Sequence, residues 1–219
     1  MTNNLIEKET VKGFSLFDYL FILAGMIIQA VVFAVTGSSK LSLISGLFGV
    51  ASVVLCSSRK LMFYILGFIQ LITYIILAGR QNLYGEIVEN VFYFVTMLYG
   101  IYHWSRNYND NTQEVNTRGM TIPQNLFVAG ITYFGVIVLY NILNRTNDTQ
   151  PFMDAITTVP AFVAQILMIL RYKESWLYWL IIDLGSIVMW AVAGDWCMVA
   201  QFIFWALNCI YGLYKWNKV

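Results

Sequence analysis

The sequence predicts an all-α integral membrane protein of eight transmembrane helices. Three observations carry that expectation. Of the 219 residues, 59% are hydrophobic and only 11% charged, against about 25% charged in an ordinary soluble domain. Eight apolar runs approach the roughly 20 residues that a helix needs to cross about 30 Å of hydrocarbon. The basic residues in the connections alternate between two sides, ten on one and three on the other. Such asymmetry sets membrane orientation.

The runs cover residues 14–35, 41–56, 61–78, 84–104, 122–143, 153–170, 176–193 and 197–216. The first follows a charged leader that includes Glu7, Lys8, Glu9 and Lys12. It is too long for a signal-peptide core and shows no small-residue cleavage site, so it reads as a retained span. Most connections are short, such as Ser57, Ser58, Arg59 and Lys60. One polar stretch, 105–121, exceeds a dozen residues and splits the chain in two. Residues 1–40 form an N-terminal segment with its own helix, and 41–104 a first three-helix unit. Residues 105–149 hold the polar loop and a linker helix, and 150–219 a second three-helix unit. Lys8, Lys12, Arg59, Lys60, Arg106, Arg118, Arg171, Lys173, Lys215 and Lys218 fall on one face, and Lys40, Arg80 and Arg145 on the other. Both termini are therefore expected in the cytoplasm.

The two units look like repeats. Run four ends Leu98-Tyr99-Gly100-Ile101-Tyr102-His103-Trp104, and run eight ends Ile210-Tyr211-Gly212-Leu213-Tyr214-Lys215-Trp216. Both read apolar-Tyr-Gly-apolar-Tyr-basic-Trp. A single helix between two three-helix units makes them parallel, which is the plan of SWEET-type carriers. By that likeness a substrate lies near the membrane midplane between the bundles.

The composition excludes several classes. A net charge of +1 gives no footprint for nucleic acid. One His and the scattered Cys56, Cys197 and Cys209 make no metal or heme site, and no cofactor is expected. There is no Gly-x-x-x-x-Gly-Lys-Ser/Thr sequence for ATP. A membrane-embedded enzyme would need catalytic carboxylates or histidines clustered at one membrane face, and an assembly subunit would need no aligned polar site. A passive carrier fits better.

Polar groups in hydrocarbon are costly and mark function. Asp183 is the one carboxylate expected at mid-depth. Trp176, Trp179 and Asp183 share one helical face. Indole faces attract cations, so this face suits a flat, cationic, polar ligand. Gln70, Asn90, Gln201 and Asn208 are further candidates for substrate contact, because amides both donate and accept. Gln29 and Gln165 are weaker ones, and Glu86 and Glu89 are expected near the entrance.

The segment Trp176-Leu-Tyr-Trp179-Leu-Ile-Ile-Asp183 resembles the Trp-x-x-Trp-x-x-x-Asp/Asn signature of the PnuC vitamin transporters. The Tyr-Gly-x-Tyr-x-Trp repeat endings are similar to theirs as well. The resemblance spans roughly residues 41–217 and leaves the first helix as an extra. It implies uptake of nicotinamide riboside across the bacterial inner membrane by facilitated diffusion, with trapping by cytoplasmic phosphorylation. It also implies a homotrimer, and it carries Trp176, Trp179 and Asp183 over as substrate residues. Relatives of the same fold that carry thiamine, riboflavin or deoxynucleosides keep those ligands open as alternatives.

Overall fold

The computed structural model describes residues 14–81, 84–145 and 151–217. The leader and Lys8, Lys12 and Lys218 lie outside the described residues. Eight helices follow in order: α1 (Leu16–Thr36), α2 (Lys40–Ser57), α3 (Phe63–Arg80), α4 (Tyr84–Ser105), α5 (Ile122–Leu143), α6 (Pro151–Ile169), α7 (Ser175–Val192) and α8 (Trp196–Asn217). The expectation of an all-α chain needs one amendment. The polar loop between α4 and α5 holds a small antiparallel hairpin, β1 (Tyr108–Asn109) and β2 (Glu114–Val115). The Asn109 side chain accepts from the Asn111 amide at 2.9 Å and turns the chain there, a bond that short polar side chains offer readily.

The helix boundaries follow from local chemistry. Ser15 caps α1 and Asp18 reciprocates in a capping box. Thr121 and Gln124 do the same for α5. Each such pair satisfies amides that no helical carbonyl can reach. Gly37 ends α1 in the left-handed region.

Six helices are long and apolar enough to cross a membrane: α1, α2, α3, α5, α7 and α8. The other two carry polar stripes, with Glu86, Glu89 and Asn90 on α4 and Asp154, Thr157 and Gln165 on α6. Of these, Glu86, Glu89, Asn90 and Gln165 face an internal cavity, where polar groups in a membrane bundle belong.

Helix α2 packs on α3 and α8, α6 on α4, α5 and α7, and α7 on α8. The helix α1 lies on α2 and α8. Its anchor is Asp18, which is fully buried. Asp18 accepts from Ser58 at 2.7 Å, from Tyr211 at 2.9 Å and from Lys215 at 2.8 Å. Gln29 of α1 is also buried, and it fills the space left by Gly46. A Cβ at Gly46 would come within 2.5 Å of its Oε1.

The ends of α2 and α6 match in detail. Arg59 and Arg171 both adopt positive φ, 59° and 66°. The Arg59 amide donates to Cys56 and the Lys60 amide to Leu55; the Arg171 amide donates to Met168 and the Tyr172 amide to Leu167. Both are Schellman ends built without the usual glycine. Cys56 and Met168, 112 positions apart, touch at 3.5 Å. The Trp104 indole donates to Ile169 of α6 at 3.2 Å, and the Trp216 indole donates to Ser57 of α2 at 3.0 Å. The two rings lie 6.0 Å apart.

The loop weaves across this end. The Val115 amide donates to Arg59, the Arg118 amide to Arg171, and the Lys173 amide to Arg118. Arg59 pairs with Glu114, and Lys60 donates to the Gln113 carbonyl at 2.8 Å. Burial holds the Lys60 ammonium below its ordinary pKa, and Glu114 draws it part of the way back. This basic end is sealed by a cluster that includes Phe63, Tyr64, Trp104, Val115, Trp176 and Trp216. At the opposite end Tyr74, Leu77, Trp190, Met198 and Phe202 form a second cluster.

Candidate functional site

Between the two clusters lies a cavity of about 160 Å³, walled by α2, α3, α4, α6, α7 and α8. Six of the seven candidate site residues read from the sequence line it: Gln70, Asn90, Trp176, Trp179, Asp183 and Asn208. Gln201 does not. It is fully buried against Gly49 of α2, where a Cβ would lie 3.0 Å from its Nε2. Gln201 and Trp205 share a stripe of α8, but that stripe crosses from the α2 interface to the cavity along its length. Gln29 lies outside the cavity as well, whereas Gln165 lines it.

Each lining residue has a distinct setting. Trp176 leans on Gly212, whose added Cβ would fall 2.5 Å from the indole, and meets Trp216 edge-to-face at 5.4 Å. Its Nε1 is buried without a partner among the described residues. Trp179 is half-buried and meets Tyr93 edge-to-face at 5.6 Å. Asp183 is 2% exposed and accepts from the Cys209 thiol at 3.2 Å. Asn208 is largely committed to structure: its Nδ2 donates to the Val53 carbonyl at 3.1 Å, and its Oδ1 accepts from Ser57 at 3.2 Å. Asn90 donates to the Glu86 carbonyl at 2.7 Å.

Tyr74 and Cys209 line the cavity without having been singled out by the sequence, and Tyr93, which the sequence places on the helix face of Asn90, lines it as well. Tyr74 donates to Glu86 at 2.6 Å and accepts from the Trp190 indole at 2.9 Å. Tyr93 donates to Glu89 at 3.2 Å. Spacing was the available signal: Tyr74 follows Gln70 by four positions and Tyr93 follows Asn90 by three, so each shares a helix face with a named candidate. Cys209 has no such signal, because a buried cysteine in an apolar helix reads as a small hydrophobe. Glu86 and Glu89, expected at the entrance, belong to the cavity wall itself.

The lining therefore contains three carboxyl groups, Glu86, Glu89 and Asp183, and among the described residues no Lys, Arg or His. Around them stand Tyr74, Tyr93, Trp176, Trp179, Phe202 and Trp205. Acceptors and aromatic faces together favour a flat ligand of positive charge that donates hydrogen bonds.

A helical membrane bundle closed around a polar, aromatic cavity has the form of a transporter of a small polar solute. The chain belongs to the nicotinamide mononucleotide transporter family, whose model matches residues 39–218, that is, α2 to α8. Curated relatives agree. The nicotinamide riboside transporter PnuC of Haemophilus influenzae is 30% identical over 217 residues, covering 98% of this chain and 95% of its own length. That of Neisseria mucosa is 29% identical over 224 residues, covering 97% and 85%. The crystal structure of the vitamin B3 transporter PnuC superposes with a TM-score of 0.83 at 28% identity, covering 93% of this chain and 92% of that one.

Proposed function

We propose that this protein carries nicotinamide riboside across the bacterial inner membrane, with both termini in the cytoplasm, and that it works by facilitated diffusion in a homotrimer. Phosphorylation inside the cell then traps the product. The observation that carries the reading is the cavity lining, with the two indoles and Asp183 of α7, the open Gln70 amide and, among the described residues, no cation. Trp176 and Trp179 take the pyridinium ring, Asp183 offsets its charge, and Gln70 and Asn90 meet the carboxamide or the sugar. Asn208 shapes the wall, while Gln201 packs α8 on α2.

The same lining separates a riboside from its 5′-phosphate. A phosphate brings about −1.5 to −2 charges into a space with three carboxyl groups and no basic side chain. The relatives are nicotinamide riboside transporters, and the electrostatics of this lining favour the same ligand.

We also read α2–α4 and α6–α8 as parallel repeats joined by α5. One offset supports it. Cys56 and Met168 are 112 apart; so are Arg59 and Arg171, Gly100 and Gly212, Trp104 and Trp216, and Tyr64 and Trp176. Each of these pairs occupies matching places, down to the Gly100–Tyr64 and Gly212–Trp176 contacts. Transport then follows from rocking of the two units about the ligand.

The test is binding calorimetry and uptake with purified protein. Nicotinamide riboside is expected to bind and to equilibrate into proteoliposomes without ATP or an ion gradient. Tighter binding of thiamine, riboflavin, a deoxynucleoside or nicotinamide mononucleotide would overturn the assignment.

A further inference from the structure

Glu86 sits in a hydrogen-bond chain whose direction is fixed by chemistry. An indole nitrogen can only donate. The Trp190 Nε1 donates to Tyr74 Oη, so the single Tyr74 proton goes to Glu86 Oε2. That oxygen is therefore an acceptor with its partner supplied. Trp190 and Tyr74 are 0% and 2% exposed, and they belong to different three-helix units. The second Glu86 oxygen takes no hydrogen bond from any described residue. Neighbouring Glu89 is held differently, by Tyr93 and Thr158.

A second observation at the same wall points to a ligand. Gln70, one turn before Tyr74 on α3, is 8% exposed and lines the cavity, yet its amide forms no hydrogen bond within the described residues. The Asn90 Oδ1 on the same lining accepts from no described residue either, since only its Nδ2 is engaged. Buried polar groups of this kind need a partner. Glu86, Gln70 and Asn90 thus each present an open acceptor oxygen on the same cavity lining, and a ligand that donates through adjacent hydroxyls completes them.

Given the riboside ligand proposed above, we propose that Glu86 is the specificity-determining residue for the ribose hydroxyls, and that Tyr74 and Trp190 are positioning residues that hold its carboxylate. Trp176 belongs to the basic-end cluster and Tyr74 to the opposite one. A ring held at Trp176 and Trp179 therefore extends its sugar toward Glu86. A carboxylate accepting from vicinal ribose hydroxyls is a recurrent recognition device.

Calorimetry on the full chain in lipid nanodiscs tests this with nicotinamide riboside and its 2′,3′-dideoxy analogue. The unchanged protein is expected to prefer the riboside. Glu86→Gln keeps the volume and is expected to lose about tenfold or more in riboside affinity, the scale of a charge-assisted hydrogen bond. Binding of the dideoxy analogue should change little, so that the preference collapses. Tyr74→Phe is expected to move the preference the same way by a smaller factor, and it carries the test if Glu86→Gln does not fold. A structural role alone would weaken both ligands equally and leave their ratio intact; that result in either variant overturns the proposal. Equal binding of both ligands by the unchanged protein overturns it as well. If the unchanged protein binds neither ligand, the riboside reading itself fails.

Discussion

Asp183 is a carboxyl group whose recorded protein partner is a thiol, Cys209, a weak donor. An aspartate buried to 2% exposure with so little protein compensation is costly, a cost that the cationic ligand proposed above would relieve. Trp179 contributes differently, presenting a half-buried ring that meets Tyr93 edge-to-face and packs beside Ala161, Ala164 and Ile182. Trp179→Ala is expected to weaken riboside binding about 30-fold, the cost of removing a central aromatic contact, with the protein still monodisperse. Asp183→Asn keeps the shape and an acceptor for Cys209, and it should cost about tenfold for cationic ligands while sparing neutral ones. Titration of both variants reads these losses, and unchanged affinity in both would remove α7 from the site. The spacing of Trp176, Trp179 and Asp183 made this face legible in the sequence. The relay from Trp190 through Tyr74 to Glu86 was not legible, because it joins α7, α3 and α4, and helical periodicity reports one helix at a time.

At the scale of elements, the eight apolar runs correspond to the eight helices within a few residues. The hairpin between α4 and α5 was invisible for a physical reason: two-residue strands carry no alternation to detect, and the loop is ordered by the ends of α2 and α6 more than by itself. The role of α1 was equally hidden. Hydropathy identifies an apolar helix, but the helix is held to α2 and α8 by a buried ion pair between Asp18 and Lys215, with side-chain exposures of 0% and 16%. Removing one member of a buried pair leaves the other unpaired, at about 3 kcal/mol or more. Asp18→Ala is therefore expected to lower the thermal midpoint in detergent, while the double change Asp18→Asn with Lys215→Met recovers much of it. A double variant as unstable as the single one would show that the cost lies in the hydroxyl contacts of Ser58 and Tyr211 instead.

For the whole molecule, the matched ends of α2 and α6, and the tryptophans of α4 and α8 that meet them, say how the cavity is closed. At the basic end each unit's last tryptophan donates to the carbonyls that end the other unit's first helix, Trp104 to α6 and Trp216 to α2. At the opposite end Trp190 donates to Tyr74 across the units. Under the rocking mechanism proposed above, one set breaks while the other holds, so these bonds would bias which end opens. The two Tyr-Gly-x-Tyr-x-Trp endings are visible in the sequence, yet nothing in them reveals that Trp104 reaches α6 and Trp216 reaches α2. Trp216→Phe keeps the aromatic packing and removes only the bond to Ser57, which contributes about 0.5–1.5 kcal/mol. The closed basic end should then be released about two- to tenfold more often. Cys56 and Cys209 line the cavity and serve as reporters. A membrane-impermeant maleimide added on the basic side is expected to label them faster in Trp216→Phe than in the unchanged protein, and saturating riboside should slow both rates. Equal labelling in the two proteins would mean that the loop pairing of Glu114 with Arg59, and not the exchanged indoles, holds that end shut.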